Sequence, residues 1–301
     1  MKSNKKIAIV ISSFCGYLKE ELEKNPGMFI TPLQIFIDDQ QWFEGFYDEK
    51  EKYEFVEKFR NSNNFKTSLA PTSMVEEQMS KLSKDYDDVI YLPIHSSLSS
   101  SHDSILNLSK KYKNIHVFDN KLVGESFLIV AKEIKKRYEE ESNSIEDIFK
   151  FLTWFNDRII GYIVPMELKT FIKSGRLKGV KKAIMNSFNL STIIEVDQTL
   201  NSVGVSRTKK ISANKIMNKI NEFIKKFNMK PDDFNFSTIY VFDKTIKDIF
   251  ENALLESFKK TVDWTMEASI VTMLHTGYGA CYIGINPKLE LAPKFNKNEK
   301  Y

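Results

Sequence analysis

The sequence predicts an α/β protein built as two domains. Short β-branched runs alternate with longer amphipathic segments, the alternation restarts past the midpoint, and 301 residues exceed one domain of roughly 100 to 200 residues. Taken in order, residues 7–11, 29–37, 89–94 and 115–118 are rich in Ile, Val and Phe and bounded by polar or turn residues, which reads as strands. Residues 73–83 and 121–137 carry helical spacing. Strands separated by helices of this length imply a mostly parallel sheet covered on both faces. Ser144 followed by Asp147 forms a capping-box-like start to a helix over 145–156, with Ile145, Ile148, Leu152 and Phe155 on one face. That helix closes an N-terminal α/β domain, residues 1–157.

A second α/β domain, residues 158–301, opens with a strand over 159–164 and a helix over 166–174 ended by Gly175. Residues 193–196 and 202–206 then read as a β pair around 197–201. Ile216, Ile220, Phe223, Ile224 and Phe227 fall at helical spacing, as do Ile246, Ile249, Phe250, Ala253, Leu254 and Phe258. Strands over 238–242, 269–273 and 281–285 interleave with them.

Composition removes several function classes. With 42% hydrophobic and 28% charged residues the chain has enough apolar side chain for a core. The net charge of +4 comes from 44 basic and 40 acidic residues that are interspersed, so no basic stripe for nucleic acid is implied. Cys15 and Cys281 lie at opposite ends of the chain without CxxC spacing, which fits a reducing cytoplasm and gives neither a disulfide framework nor a zinc knuckle. The start, charged and then apolar over 7–11, imitates a secretory signal. Phe14 before Cys15 and the lack of a small-x-small cleavage site argue instead for a first buried strand. No run approaches a membrane span of about 18 apolar residues.

Motif tests exclude more. There is no GxxxxGK[ST] loop, no GxGxxG after the first strand, no GxSxG elbow and no HExxH, so the sequence shows no nucleotide, hydrolase or metal signature of its own. His95, His102, His116 and His275 show no metal-ligand spacing. Three polar strings do stand out where strands end: Lys66-Thr67-Ser68-Leu69-Ala70-Pro71-Thr72, then Leu92-Pro93-Ile94-His95-Ser96-Ser97-Leu98-Ser99-Ser100-Ser101, and Leu274-His275-Thr276-Gly277-Tyr278-Gly279-Ala280, read as a strand followed by glycines. Hydroxyls and free amides at helix N-termini suit a carboxylate or phosphate; they equally serve as plain N-caps. Arg176 follows Gly175 and Arg207 sits in Gly204-Val205-Ser206-Arg207-Thr208, either as receivers of an acidic group or as caps and solvated turns.

The ordered set of these strings, with Asp119-Asn120 after the fourth strand, resembles the DegV family over nearly the whole chain. Its characterised members are the fatty-acid-binding (FakB-like) subunits of a two-component fatty acid kinase. The resemblance implies an acyl chain in an apolar ligand tunnel between the two domains, and a carboxylate held by Thr67, Ser68, His95, Ser96, Ser99, His275 and Thr276. It places Arg176, Arg207 and His275 at the phosphoryl-transfer end facing the kinase partner. It implies no catalysis by this chain alone, no metal and no cofactor of its own. ATP and Mg would sit on the partner kinase subunit, and an acyl phosphate would leave for phospholipid synthesis. It further implies a bacterial, cytoplasmic protein, no nucleic acid partner, and at most transient membrane contact. The sequence departs from the family where Ser12-Ser13 replaces Asp-Ser after the first strand, where His95 takes a serine's place, where Ser100 takes a glycine's, and where one extra residue separates Thr67-Ser68 from Pro71. The alternative from a different class is a stand-alone esterase-like enzyme using Ser96 and His95 on a small anionic or acyl substrate.

Overall fold

A computed structural model describes residues 5–62, 64–166, 168–175, 190–197 and 199–294. It divides into two compact units, residues 1–157 with 292–301, and residues 158–291. The division falls at 157/158, but Ala292, Pro293 and Lys294 belong with the first unit rather than the second. Arg137 shows the attachment, donating from Nη1 to the carbonyl of Pro293 at 2.9 Å.

In the first unit, β1 (Ile7–Ser12), β2 (Met28–Thr31), β6 (Asp88–Leu92) and β7 (Ile115–Val117) form an all-parallel sheet in the order β2-β1-β6-β7. Its continuous apolar runs are what a sheet covered on both faces requires. On one face Ala8, Val10, Val89 and Tyr91 pack against Val75, Met79 and Leu82 of α3 (Thr72–Asp85) and Ile105 of α4 (Ser101–Ser109). Helix α5 (Glu125–Lys135) packs against β1, burying Phe127, Val130, Ala131 and Ile134. Helix α6 (Ile145–Asn156) starts at the Ser144–Asp147 box as the sequence predicts.

The strand expected over 29–37 is two strands in two sheets. β2 ends at Thr31, and β3 (Gln34–Ile37) lies in a small antiparallel sheet between β4 (Gln40–Phe43) and β5 (Phe65–Ser68). Pro32 explains the break, since it has no N–H for a ladder, and the N–H of Leu33 goes instead to the buried Ser13 hydroxyl at 2.9 Å. Helices α1 (Lys19–Glu23) and α2 (Glu49–Asn61) complete the set.

In the second unit, β8 (Ile160–Val164), β9 (Ser191–Val196), β10 (Leu200–Ser206), β11 (Phe234–Tyr240), β12 (Trp264–Glu267) and β13 (Cys281–Pro287) form a mixed sheet in the order β10-β9-β8-β13-β11-β12. Only β11 and β12 run parallel. One face is buried under α8 (Lys209–Lys226) and α9 (Thr245–Phe258). Helix α7 (Leu168–Lys173) falls within the predicted 166–174 and is followed by Gly175 at φ 72°.

A second correction concerns residues 269–276, expected as strand. They form α10 (Ile270–Thr276), capped by Ser269, whose hydroxyl accepts the N–H of Thr272 at 3.1 Å. The β-branched run suggested a strand; the cap and the glycine that ends the helix decided otherwise.

Candidate functional site

The parallel sheet brings the loops after β1, β2 and β6 to its carboxyl edge, where open α/β sheets build ligand sites. A shallow recess opens there on the α3/α4 face, with enclosed room for about one water molecule. Val10, Leu33, Leu69, Val75, Leu92 and Ile105 give it an apolar wall, and Ser12, Thr31, Ser101 and Ser104 bring hydroxyls to it. Ser101 and Ser104 lie in the first turns of α4, so the positive end of that helix dipole faces the opening.

The loop after β6 is organised by Asp119. Ser96 donates to it twice, from its N–H to Oδ1 at 2.9 Å and from its hydroxyl to Oδ2 at 2.6 Å. His95 lies beside the same carboxylate, Nε2 at 3.8 Å from Oδ2, and its Nδ1 is 2.8 Å from the Ser97 hydroxyl. Asn120, buried next to Asp119, donates to the Pro93 carbonyl at 2.8 Å and accepts from the N–H of Leu122. His95 and Ser96 are therefore brought together, but through a carboxylate. The single proton of the Ser96 hydroxyl points to Asp119, so the Ser–His hydrogen bond that an esterase nucleophile requires is not formed. Ser99 acts locally, its hydroxyl accepting the N–H of Ser101 at 3.1 Å.

Thr67 and Ser68 end β5 on opposite faces. Thr67 stands opposite the fully buried Ile35 and shares its face; Ser68 stands opposite Gln34 and is exposed. Neither lines the cleft, nor do His95, Ser96 and Ser99. Their chain neighbours Leu69, Ala70, Pro93 and Ser101 do, which puts the named hydroxyls on the segments that bracket the opening.

His275, Thr276 and Arg207 belong to the second unit. Thr276 is buried and donates to the Thr272 carbonyl at 2.8 Å, a bond internal to α10. His275 is half-buried beside it. Gly277 and Gly279 have φ of 88° and 77°, a conformation that favours glycine, and a Cβ at either would press on Thr170 at 3.3 Å or Met166 at 3.2 Å. Arg207 is exposed just ahead of α8, where Thr208 is the N-cap. Next to it, Lys209 donates to the Pro165 carbonyl at 2.6 Å, and burial lowers its ammonium pKa. Arg176 lies outside the described residues.

Sequence reasoning missed Ser12, Thr31, Ser101 and Ser104 as cleft hydroxyls. Ser101 was legible as the end of the second string, and Ser12 as part of the departure after β1; Thr31 was hidden inside a run read as one strand. No cluster of three or more His, Cys, Asp or Glu among the described residues could hold a metal ion, and no helix among them is long and apolar enough to cross a membrane.

Comparison with known proteins places this architecture. A family model described as "Uncharacterised protein, DegV family" matches residues 6–288. A DegV domain-containing protein of Mycoplasmopsis pulmonis is 26% identical over 281 residues, covering 93% of this chain and 94% of the relative. Among solved structures, a fatty acid binding DegV family protein from Streptococcus agalactiae superposes with a TM-score of 0.82 at 20% identity, covering 94% of this chain and 99% of the other. A stearic acid-binding protein from Eubacterium ventriosum does so with a TM-score of 0.79 at 22% identity, covering 95% and 99%. The order of strings, the parallel and mixed sheets and the match across nearly the whole length agree: the chain belongs to the DegV family.

Proposed function

We propose that this protein binds a long-chain fatty acid and presents its carboxylate to an ATP-dependent kinase subunit for acyl phosphate formation. The observation that carries the reading is the recess at the carboxyl edge of the parallel sheet, lined by apolar side chains together with hydroxyls. The fatty-acid-binding character of structural neighbours supports it. Burying an acyl tail recovers about 0.8 kcal/mol per methylene, so the tail supplies most of the affinity and the head group needs no salt bridge. The Thr67 hydroxyl would hold the carboxylate as a nucleophile not tied to a cation; Ser96 would join it once its hydroxyl turns from Asp119, and Ser68, on the other face of β5, His95 and Ser99 are assigned to the same head group. His275 and Thr276 are assigned to the same head group, and Arg207 with Arg176 to the charge that develops on the transferred phosphoryl group.

In this reading the chain works in the cytoplasm, has no cofactor of its own and is not an enzyme alone. Nucleotide and Mg belong to the partner, and contact with a membrane is transient. The orientation of the Ser96 hydroxyl toward Asp119 disfavours the esterase alternative. Organic extraction of the purified protein followed by mass spectrometry tests the proposal. A bound long-chain acid, reduced in Thr67→Ala, is expected; Arg207→Ala is expected to keep the acid and lose phosphorylation by the kinase subunit. Protein that retains no acid and takes none up would overturn it.

A further inference from the structure

The Ser96 hydroxyl carries a single proton, and two groups compete for it. In the structure that proton goes to Asp119 Oδ2 at 2.6 Å, while the Ser96 N–H holds Oδ1 at 2.9 Å. A ligand carboxylate at the same hydroxyl would need the same proton, because ionised carboxylates only accept. Asp119 Oδ2 would then lose the Ser96 donor, and a lost bond to a charged acceptor costs more than a lost neutral one. Exchanging one carboxylate for the other at a single proton gains little unless a second donor replaces Ser96 on Asp119.

His95 is placed to be that donor. The N–H of Ser97 donates to His95 Nδ1 at 3.2 Å, which makes Nδ1 an acceptor. The Ser97 hydroxyl, 2.8 Å away, therefore donates to it as well, and the ring proton sits on Nε2. Nε2 is the atom that faces Asp119, 3.8 Å from Oδ2, the same oxygen that the Ser96 hydroxyl occupies. That separation exceeds an ordinary hydrogen bond by about 1 Å. With Oδ1 anchored on the Ser96 N–H, the carboxylate can swing by that amount toward a ring held at its other nitrogen. The His95 side chain is 13% exposed, so the ring is already ordered and the exchange immobilises nothing new.

We propose that His95 is a positioning residue that works by donor exchange: when the Ser96 hydroxyl turns to a ligand carboxylate, the Nε2–H of His95 takes its place on Asp119 Oδ2. The proposal rests on the fatty-acid reading above and goes beyond the assignment of His95 to the head group. His95 acts through Asp119, and what it controls is whether Ser96 is free to bind.

The test uses the full chain stripped of lipid, with palmitic acid as the probe. Titration calorimetry measures affinity, and nitrogen-edited NMR reads the histidine rings, the His95 signals being assigned by their loss in His95→Gln. In the wild type the Nε2–H signal of His95 is expected to move downfield as palmitate is added. In Ser96→Ala, where Oδ2 lacks its hydroxyl donor from the outset, the signal is expected to lie downfield already and to stay there. His95→Leu has no donor and is expected to weaken binding about tenfold; His95→Gln, whose amide keeps one, is expected to recover most of that loss. If His95→Leu does not fold, the NMR decides. A wild-type Nε2–H signal indifferent to bound palmitate, or His95→Leu binding as tightly as wild type, overturns the exchange while leaving fatty-acid binding intact. Wild-type protein that takes up no palmitate overturns the fatty-acid reading itself, and the exchange with it.

Discussion

The two units solve the same packing problem in opposite ways. In the first, a parallel sheet sends every strand-to-helix loop to one edge, and that edge is left open as a cleft lined by Val10, Leu69 and Ile105. In the second, mostly antiparallel strands reverse at both ends of the sheet. Its natural hollow lies over Gly161 and Gly284, which are directly paired between β8 and β13. That hollow is filled by the chain's own Tyr282, which reaches forward along its strand over both glycines. An open recess with hydroxyls at its rim invites an outside ligand, whereas a recess closed by a tyrosine ring is core.

This contrast breaks if Tyr282 is not seated as described. A Cβ at Gly161 would lie 2.1 Å from Tyr282 Cε2, and one at Gly284 would lie 2.1 Å from its hydroxyl, both inside van der Waals contact. Gly161→Ala is therefore expected to destabilise the protein by about 3 kcal/mol, the upper range for overpacking. Urea denaturation measures it, and the acid retained per folded molecule should not change. Combining Gly161→Ala with Tyr282→Leu should cost less than the sum of the two, because the second change removes the clash made by the first. A neutral Gly161→Ala would show that the ring is not held over the glycines.

The open recess is sharpened at its border by Ser13. Its fully buried hydroxyl accepts the N–H of Leu33, the residue that leaves the main sheet and lines the cleft. Ser13→Ala leaves that N–H without its acceptor and should cost about 2 kcal/mol. Unlike Gly161→Ala, it should also reduce retained acid, because Leu33 loses its anchor. Loss of stability with full retention would remove Leu33 from the wall that matters.

The same residues show what was legible in the sequence. Helix α6 was readable to its first residue because its cap and its stripe are local. The Asp48–Glu51 box that starts α2 is an equally local signal, and the sequence reading passed over it. The break at Pro32 carried a signal too, but an apolar run on either side masked it. Residues 270–276 were misread because Ile, Val and Thr favour strands on average, while Ser269 and Gly277 settle the matter at the ends. The site was legible as three strings and not as a geometry. Asp119 reaches Ser96 across 23 residues, and Gln78 joins Thr31 across 47, distances over which spacing in sequence says nothing about contact.

A smaller effect tests the rim itself. Asp119→Ala removes both acceptors of Ser96, a partly exposed arrangement, and should cost about 1 kcal/mol of stability. Its larger consequence should be for binding, since the loop after β6 loses the group that orders it. Retention of acid should fall by more than in Ser96→Ala, where Asp119 still accepts the backbone N–H. Equal retention in the two variants would mean that the carboxylate does not organise the rim.

The mildest change serves as the control, because it touches neither recess. Ser144 caps α6: its hydroxyl accepts the N–H of Asp147 at 3.2 Å and donates to Asp147 Oδ2 at 3.0 Å. Ser144→Ala should cost about 1 kcal/mol and leave retained acid unchanged. Its pH dependence has a definite sign. Burial opposes ionisation of Asp147, but the bonds from Ser144 and the nearby Lys150 outweigh it and hold the carboxyl below its usual pKa. A carboxyl depressed in the folded state contributes stability that is fully present above the unfolded pKa of about 3.9 and is lost as pH falls through the folded one. Alanine removes the hydroxyl's share of that depression, so the gap between wild type and Ser144→Ala should be widest near neutrality and narrow in acid. A gap that stays constant from neutral pH down through the carboxylate range would show that the cap acts through its bond to the Asp147 N–H alone.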